Sequence, residues 1–207
     1  MTALDRVLWI GGGTGGGKSS IAITVAEKHG LERYNYDWHD SRGHSDRTRA
    51  DRHPKRAAFL AMSMDERWVT RSAAQMAKME VIEFRERFEM VLEDLAALSA
   101  DRVVADGFGL LPELVGPLLA DRRQAIFLLP TPAFREWSLA QRGWVTIEGT
   151  GDPDRARANK LARDALLTEH VRRSATARGL TIIDVDGTRS LADITANVER
   201  HFEPLLA

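Results

Sequence analysis

Residues 12–19 read Gly-Gly-Thr-Gly-Gly-Gly-Lys-Ser and fit the pattern G-x-x-x-x-G-K-[ST]. This spacing suits a loop wrapped round a chain of phosphates. Gly12, Gly13, Gly15, Gly16 and Gly17, with Thr14 among them, let successive backbone N–H groups point inward at anionic oxygens. A helix starting directly afterwards turns its unpaired N–H groups and positive dipole end on the same phosphates. Lys18 is then expected to reach the β- and γ-phosphates and the Ser19 hydroxyl to ligate Mg2+, with Ser20 beside the α-phosphate. The implied ligand is ATP as its magnesium complex, with GTP left open.

Two aspartates extend this chemistry. Asp37, in YNYDWHDSRGH, follows the second candidate strand, where the strand ends of a parallel sheet converge on a ligand. From there it could accept the proton of an acceptor hydroxyl and hold the oxygen in line with a γ-phosphate. Capping a turn or helix is the plainer role for an aspartate there, and Asp40 is the alternative base. Asp106 ends the apolar run VVAD before Gly107, a place from which it could hold a Mg2+-bound water, orient the acceptor or simply shape the turn. Ser19 and Asp106 are the metal candidates.

A transferring phosphoryl group also needs its charge neutralised with water kept out, which a closing segment carrying arginines achieves. Arg135 and Arg142 stand two turns apart on one face of an expected helix, and Arg155 and Arg157 follow a glycine-rich loop, so 135–163 is the lid candidate. Lys18, Asp37, Asp106, Arg142 and Arg135 form the catalytic set. The stretch 37–56 adds Arg42, Arg47, Arg49, Arg52 and three histidines, which could hold an anionic small-molecule acceptor. Asp40, Asp46 and Asp51 within it equally suit a solvated loop, and the histidines lack the spacing of a zinc site. Trp38 and Trp68 could stack on an acceptor ring and Trp144 over the nucleotide; core packing is the simpler use of each.

The elements that must position these residues alternate along the chain. VLWI (7–10), RVVA (102–105), AIFLL (125–129) and TIIDV (181–185) read as strands, with RYNY (33–36) a weaker one. Their apolar runs barely alternate, as expected of strands buried on both faces. Helices are expected at 18–29, 56–62, 65–98, 112–120, 132–141, 154–178 and 190–202. Strands separated by helices imply one α/β domain with a parallel sheet and right-handed crossovers. The core would comprise 1–53 and 100–207. Residues 54–99 are more helix than one crossover needs, and form either packing helices, unbroken or paired, or an insertion covering the acceptor.

Composition narrows the function classes. The 207 residues carry 29 basic and 30 acidic side chains, so no net field favours nucleic acid or a membrane surface. There is no cysteine, hence no disulfide or thiolate metal site. No apolar run is long enough to span a bilayer, and the first residues lack a signal peptide's pattern, so a cytoplasmic protein is expected. Oligomeric state is not legible. A GTPase would need N-K-x-D, and Asn159-Lys160-Leu161-Ala162 lacks the aspartate. Motor-type ATPases need partner-supplied arginines and a longer chain, which leaves a small-molecule kinase or a slow regulatory ATPase.

The loop also fits G-x-x-G-x-G-K-S, and VVADGFGLLPELV (103–115) resembles the strand and loop of P-loop kinases related to 2-phosphoglycerate kinase, zeta-type toxins and chloramphenicol phosphotransferase. The resemblance in element order covers nearly the whole chain; only the phosphate loop is highly specific. It implies a P-loop fold with a five-stranded parallel core and ATP-dependent phosphoryl transfer, and does not supply a substrate. Shikimate-type and antibiotic kinases use an aspartate where Asp37 stands, whereas many relatives carry Glu-Gly where this chain has Asp106-Gly107. The resemblance further implies that the loop Gly187-Thr188-Arg189-Ser190 lies beside the nucleotide base, with Thr188 the contact; Ser190 is read as a helix cap.

Overall fold

A computed structural model describes residues 4–141, 143 and 147–206. The chain begins with strand β1 (Val7–Gly12), helix α1 (Lys18–His29) and strand β2 (Glu32–Asn35). A short helix α2 (Tyr36–His39) runs into a π-helical turn at 40–44, and α3 (Pro54–Ala61), α4 (Met64–Trp68) and the long α5 (Ala73–Ala97) follow. Then come β3 (Val103–Asp106), α6 (Pro112–Val115), β4 (Ala125–Pro130), α7 (Pro132–Gln141), the long α8 (Pro153–Ala177), β5 (Thr181–Val185) and α9 (Leu191–Leu206).

The five strands form one parallel sheet in the order β2-β3-β1-β4-β5. Every residue of β1, β3 and β4 is buried, because helices cover both faces. On one face Val7, Trp9, Phe84, Phe88, Phe127 and Val171 pack together beneath α5 and α8. On the other Leu8, Ile10, Ile21, Val25, Ile126 and Phe202 pack beneath α1 and α9. The apolar strands therefore fall where their sequence runs put them.

Some elements differ from the sequence reading. Of the two arrangements open to 65–98 the structure has the broken one, with the break between Trp68 and Ala73 rather than near the middle, because Ser63 and Ser72 each start a helix with a reciprocal capping box, to Glu66 and Gln75. The helix expected at 112–120 stops at Val115 and continues only as a 3-10 turn over Gly116–Leu118. None of the described helices is long and apolar enough to cross a membrane.

Glu113 joins α6 to α8. Its carboxylate accepts from His170 Nε2 and Ser174 Oγ, both at 2.6 Å. Burial alone would raise this carboxyl, but the two hydrogen bonds hold it at about 2. A depressed carboxyl stabilises the fold above its ordinary value of 4.5, and the gain is lost as pH falls towards about 2. Glu113→Gln should thus cost about 1–3 kcal/mol at pH 7 and progressively less at pH 3, read from urea unfolding midpoints.

Candidate active site

The phosphate loop lies between β1 and α1 at the carboxyl edge of the sheet, as its sequence context requires. Gly12 has φ of 124°, and a Cβ there would come within 2.1 Å of the Leu128 carbonyl oxygen, so no side chain fits. Gly13 N–H donates to that same oxygen at 2.9 Å and Gly16 N–H to the Gly13 carbonyl at 3.4 Å. Gly17, also left-handed, stands at the N-cap of α1, and no side chain among the described residues caps that helix. Thr14, Gly15, Gly17, Lys18, Ser19 and Ser20 line a cavity of about 260 Å³ together with Asp37 and Phe108.

Lys18 is buried, donates to the Gly13 carbonyl at 2.9 Å and lies 5.9 Å from the Phe108 ring centroid. Asp37 is exposed at the cleft, and its carboxylate accepts from Phe108 N–H at 3.0 Å. The protein packed round the cleft partly desolvates its carboxyl and pushes it upward, with Lys18 and the Phe108 N–H pulling the other way. Asp40, the alternative base, is not part of this cavity's lining. It pairs with Arg87 at 2.8 Å, and although burial would raise it, His44, Arg87 and Arg56 hold its carboxyl low.

Asp106 is fully buried and accepts from Ser19 Oγ at 2.8 Å. Sequence reasoning missed its other partners. Arg33 Nε reaches Oδ1 at 2.8 Å, while Arg33 Nη2 and Asn35 Nδ2 reach Oδ2 at 3.1 and 2.9 Å. Parallel register aligns Asn35 with Asp106 and Arg33 with Val104, which puts all three side chains on one sheet face.

Arg135 comes up beside the phosphate loop: it is buried, its Cγ lies 3.5 Å from where a Gly15 Cβ would stand, and Nη2 donates to Thr168 Oγ1 at 2.7 Å. Its Nε is buried with no hydrogen-bond partner among the described residues. Arg142 and Trp144 lie outside the described residues. Arg155 and Arg157 are exposed, and Arg157 approaches Asp154 at 3.9 Å. Thr188 is exposed and bonds Asp186 at 2.7 Å through its hydroxyl. Near it, Phe134 packs on Gly187 and tilts against the exposed Trp137, and Leu191 reaches the neighbourhood of Gly17.

The basic stretch 37–56 is turned to another use. Arg47 pairs with Asp94 and Glu93, Arg52 with Glu89 and Arg49 with Asp51, while Arg42 lies over the exposed Trp38. Most of these charges fasten the segment to the acidic side of α5. A different group of arginines gathers deeper, around Glu80 and Glu83 of α5. Arg56 is 3.4 Å from Glu83, Arg163 is 3.1 Å from Glu80 and stacks over Trp68, and Arg87 lies under the Phe84 ring. Among the described residues, Tyr36 OH, Arg71 Nη1 and Arg87 Nη2 are buried without a hydrogen bond. Buried polar atoms without a hydrogen bond cost folding energy, although Arg87 Nη2 still lies 3.8 Å from Glu80.

Burial and the neighbouring Glu80 push the Glu83 carboxyl up to about 7, against the pull of Arg87 and Arg56. A raised carboxyl binds its proton more tightly in the native state, so stability falls as pH rises from about 4.5 through about 7. Glu83→Gln keeps the shape without the charge. It should flatten that slope and unfold at higher urea than wild type at pH 8, by up to about 3 kcal/mol.

A metal fits this donor set. No described group of three or more His, Cys, Asp or Glu side chains could cage an ion. Mg2+ prefers few protein oxygens alongside phosphate and water, and Ser19 offers one hydroxyl at the head of an uncapped helix.

No protein-family model matches the sequence, and no curated protein matches it either. Solved structures do. TT1252 from Thermus thermophilus aligns over 97% of this chain and 95% of its own at 18% identity, with a TM-score of 0.52. Deoxyadenosine kinase from M. mycoides aligns over 96% and 99% at 13% identity, also with a TM-score of 0.52. Shikimate kinase from Acinetobacter baumannii covers 98% and 97% at 15% identity, but its TM-score of 0.48 is too low to argue from. At identities this low the likeness shows the fold alone. The chain has an α/β fold similar to those of TT1252 and the deoxyadenosine kinase, with the five-stranded parallel sheet expected from its sequence.

Proposed function

We propose that the chain is an ATP-dependent small-molecule kinase that passes the γ-phosphoryl group of Mg·ATP to an acceptor hydroxyl. The observation that carries this reading is the cavity shared by Lys18, Ser19 and Asp37, which joins a phosphate cradle to a carboxylate facing the same cleft. When bound, Mg·ATP supplies the phosphoryl group. The loop residues 12–17 and the α1 N-terminus hold the phosphates by backbone N–H groups, with Lys18 as the point charge. Ser19 offers its oxygen to the metal while its O–H donates a hydrogen bond to Asp106. Asp37 takes the acceptor hydroxyl's proton at its free carboxylate oxygen while Phe108 N–H steadies the other.

Arg135, and Arg142 with it, neutralise the transferring group from a lid over 135–163. Residues 54–99 cover the acceptor. Thr188 and the apolar platform of Trp137 and Leu191 suit the nucleotide base. This is a soluble, cytoplasmic role with no nucleic-acid or membrane partner.

The experiment is transfer of γ-labelled phosphate from Mg·ATP into a small-metabolite extract, wild type against Lys18→Ala. A labelled compound made only by wild type establishes the kinase and reveals the acceptor. Label released solely as inorganic phosphate points instead to the regulatory ATPase.

A further inference from the structure

Asp106 is heavily engaged. Four donors reach its carboxylate: Ser19 Oγ, Asn35 Nδ2 and Arg33 Nη2 crowd onto Oδ2, and Arg33 Nε meets Oδ1. The group is also fully buried. Arginine keeps its charge at every working pH, so the Asp106 charge is cancelled by a fixed fork from the neighbouring strand. The Ser19 hydroxyl, its O–H engaged by Asp106, keeps its oxygen lone pairs for the cavity.

We propose that Arg33 is a positioning residue that keeps Asp106 from binding the metal directly and fixes the Ser19 hydroxyl as the protein's ligand. The proposal rests on the Mg·ATP reading of the cavity. Its consequence is that metal arrives and leaves with the nucleotide, because Ser19 offers only a neutral oxygen and the Asp106 charge is already answered by Arg33. Without the guanidinium, Asp106 regains a full charge and a free oxygen close to the metal's place, and the site becomes a cation trap.

The test uses the full chain and reads binding rather than turnover. Arg33→Gln removes the charge but still gives Asp106 an N–H; Arg33→Lys keeps the charge and loses the fork. Affinity for a fluorescent ATP analogue is measured in EDTA and in saturating Mg2+. The ratio of the two should rise about tenfold in Arg33→Gln, the effect of one uncompensated charge a few ångströms away in a partly solvated site. It should stay near the wild-type value in Arg33→Lys. A second arm needs no nucleotide: Mn2+ is titrated into the protein and free ion read by paramagnetic resonance. Wild type and Arg33→Lys should leave Mn2+ free where Arg33→Gln sequesters it.

An unchanged ratio with Mn2+ still free in Arg33→Gln would make Arg33 merely a structural partner and overturn the assignment. So would a ratio that falls, since Asp106 would then need Arg33 in order to help hold metal. Failure of wild type to bind the ATP analogue counts against the kinase reading, and the Mn2+ arm still decides the role of Arg33.

Discussion

Asp37→Asn is expected to lower phosphoryl transfer by about 10²–10⁴-fold, the contribution of a positioned general base, while ATP affinity stays within about twofold of wild type, since the loop that holds the phosphates is untouched. Asparagine keeps the size of the side chain and can still accept from Phe108 N–H, so the cleft keeps its shape. What it loses is the ability to take a proton. The same carboxylate sets the pH profile of the wild type. Partial desolvation raises the Asp37 carboxyl, so more of it is protonated and idle at mildly acid pH. The acid limb of kcat/KM should therefore lie above the ordinary carboxylate range, with activity falling as pH falls through it. Initial rates of labelled transfer between pH 4 and 8, paired with ATP binding by calorimetry, check both statements. Transfer by Asp37→Asn at the wild-type rate would remove Asp37 from the chemistry and leave it a turn residue.

Much of this arrangement was legible because burial on both faces leaves a mark. Strands β1, β3 and β4 are apolar runs buried throughout, and their positions agree with the runs to within two residues; the edge strand β5, with Thr181 and Asp184 exposed, matches its run as well. The phosphate loop was legible because few other folds need so many glycines between a strand and a helix. The edge strand β2 was read one residue late. Its residues are half exposed, and Asn35, whose side chain accepts from Trp38 N–H at 2.8 Å, ends it by capping α2. The break before α5 had a signal in Ser72-Ala-Ala-Gln75, a capping pattern inside what looked like one helix. Arg33 had none. Its partner lies 73 positions away and becomes a neighbour only through sheet register. Charge density in 37–56 misled for the same reason, since the carboxylates of Glu89, Glu93 and Asp94 that answer it sit on α5. Sequence patterns report burial and local geometry well, and report which charges meet across the fold poorly.

Lys18→Ala is expected to have a larger effect than Asp37→Asn, because it acts on two groups together. Its ammonium lies in a buried position at the head of α1, where a positive charge is worth more to phosphate than it is in water. Removing it should weaken ATP binding about tenfold or more and lower transfer by at least about 10³-fold. Lys18 also holds the raised Asp37 carboxyl down, so its loss pushes that carboxyl higher. Whatever activity remains should then have its acid limb at a higher pH than wild type, a displacement that a simple phosphate-binding defect does not produce. Lys18→Arg should recover little, since the larger guanidinium must fit where the ammonium already meets the Gly13 carbonyl at 2.9 Å. Calorimetry with ATP and the pH profile of residual transfer separate the two effects. A loss of affinity with an unmoved acid limb would confine Lys18 to the phosphates, and intact binding with intact transfer would mean that residues 12–19 do not hold the donor at all. The coupling also fixes how the two substitutions combine: once Lys18 is gone, Asp37→Asn should cost less than it does alone, because a larger share of the base it removes is already protonated.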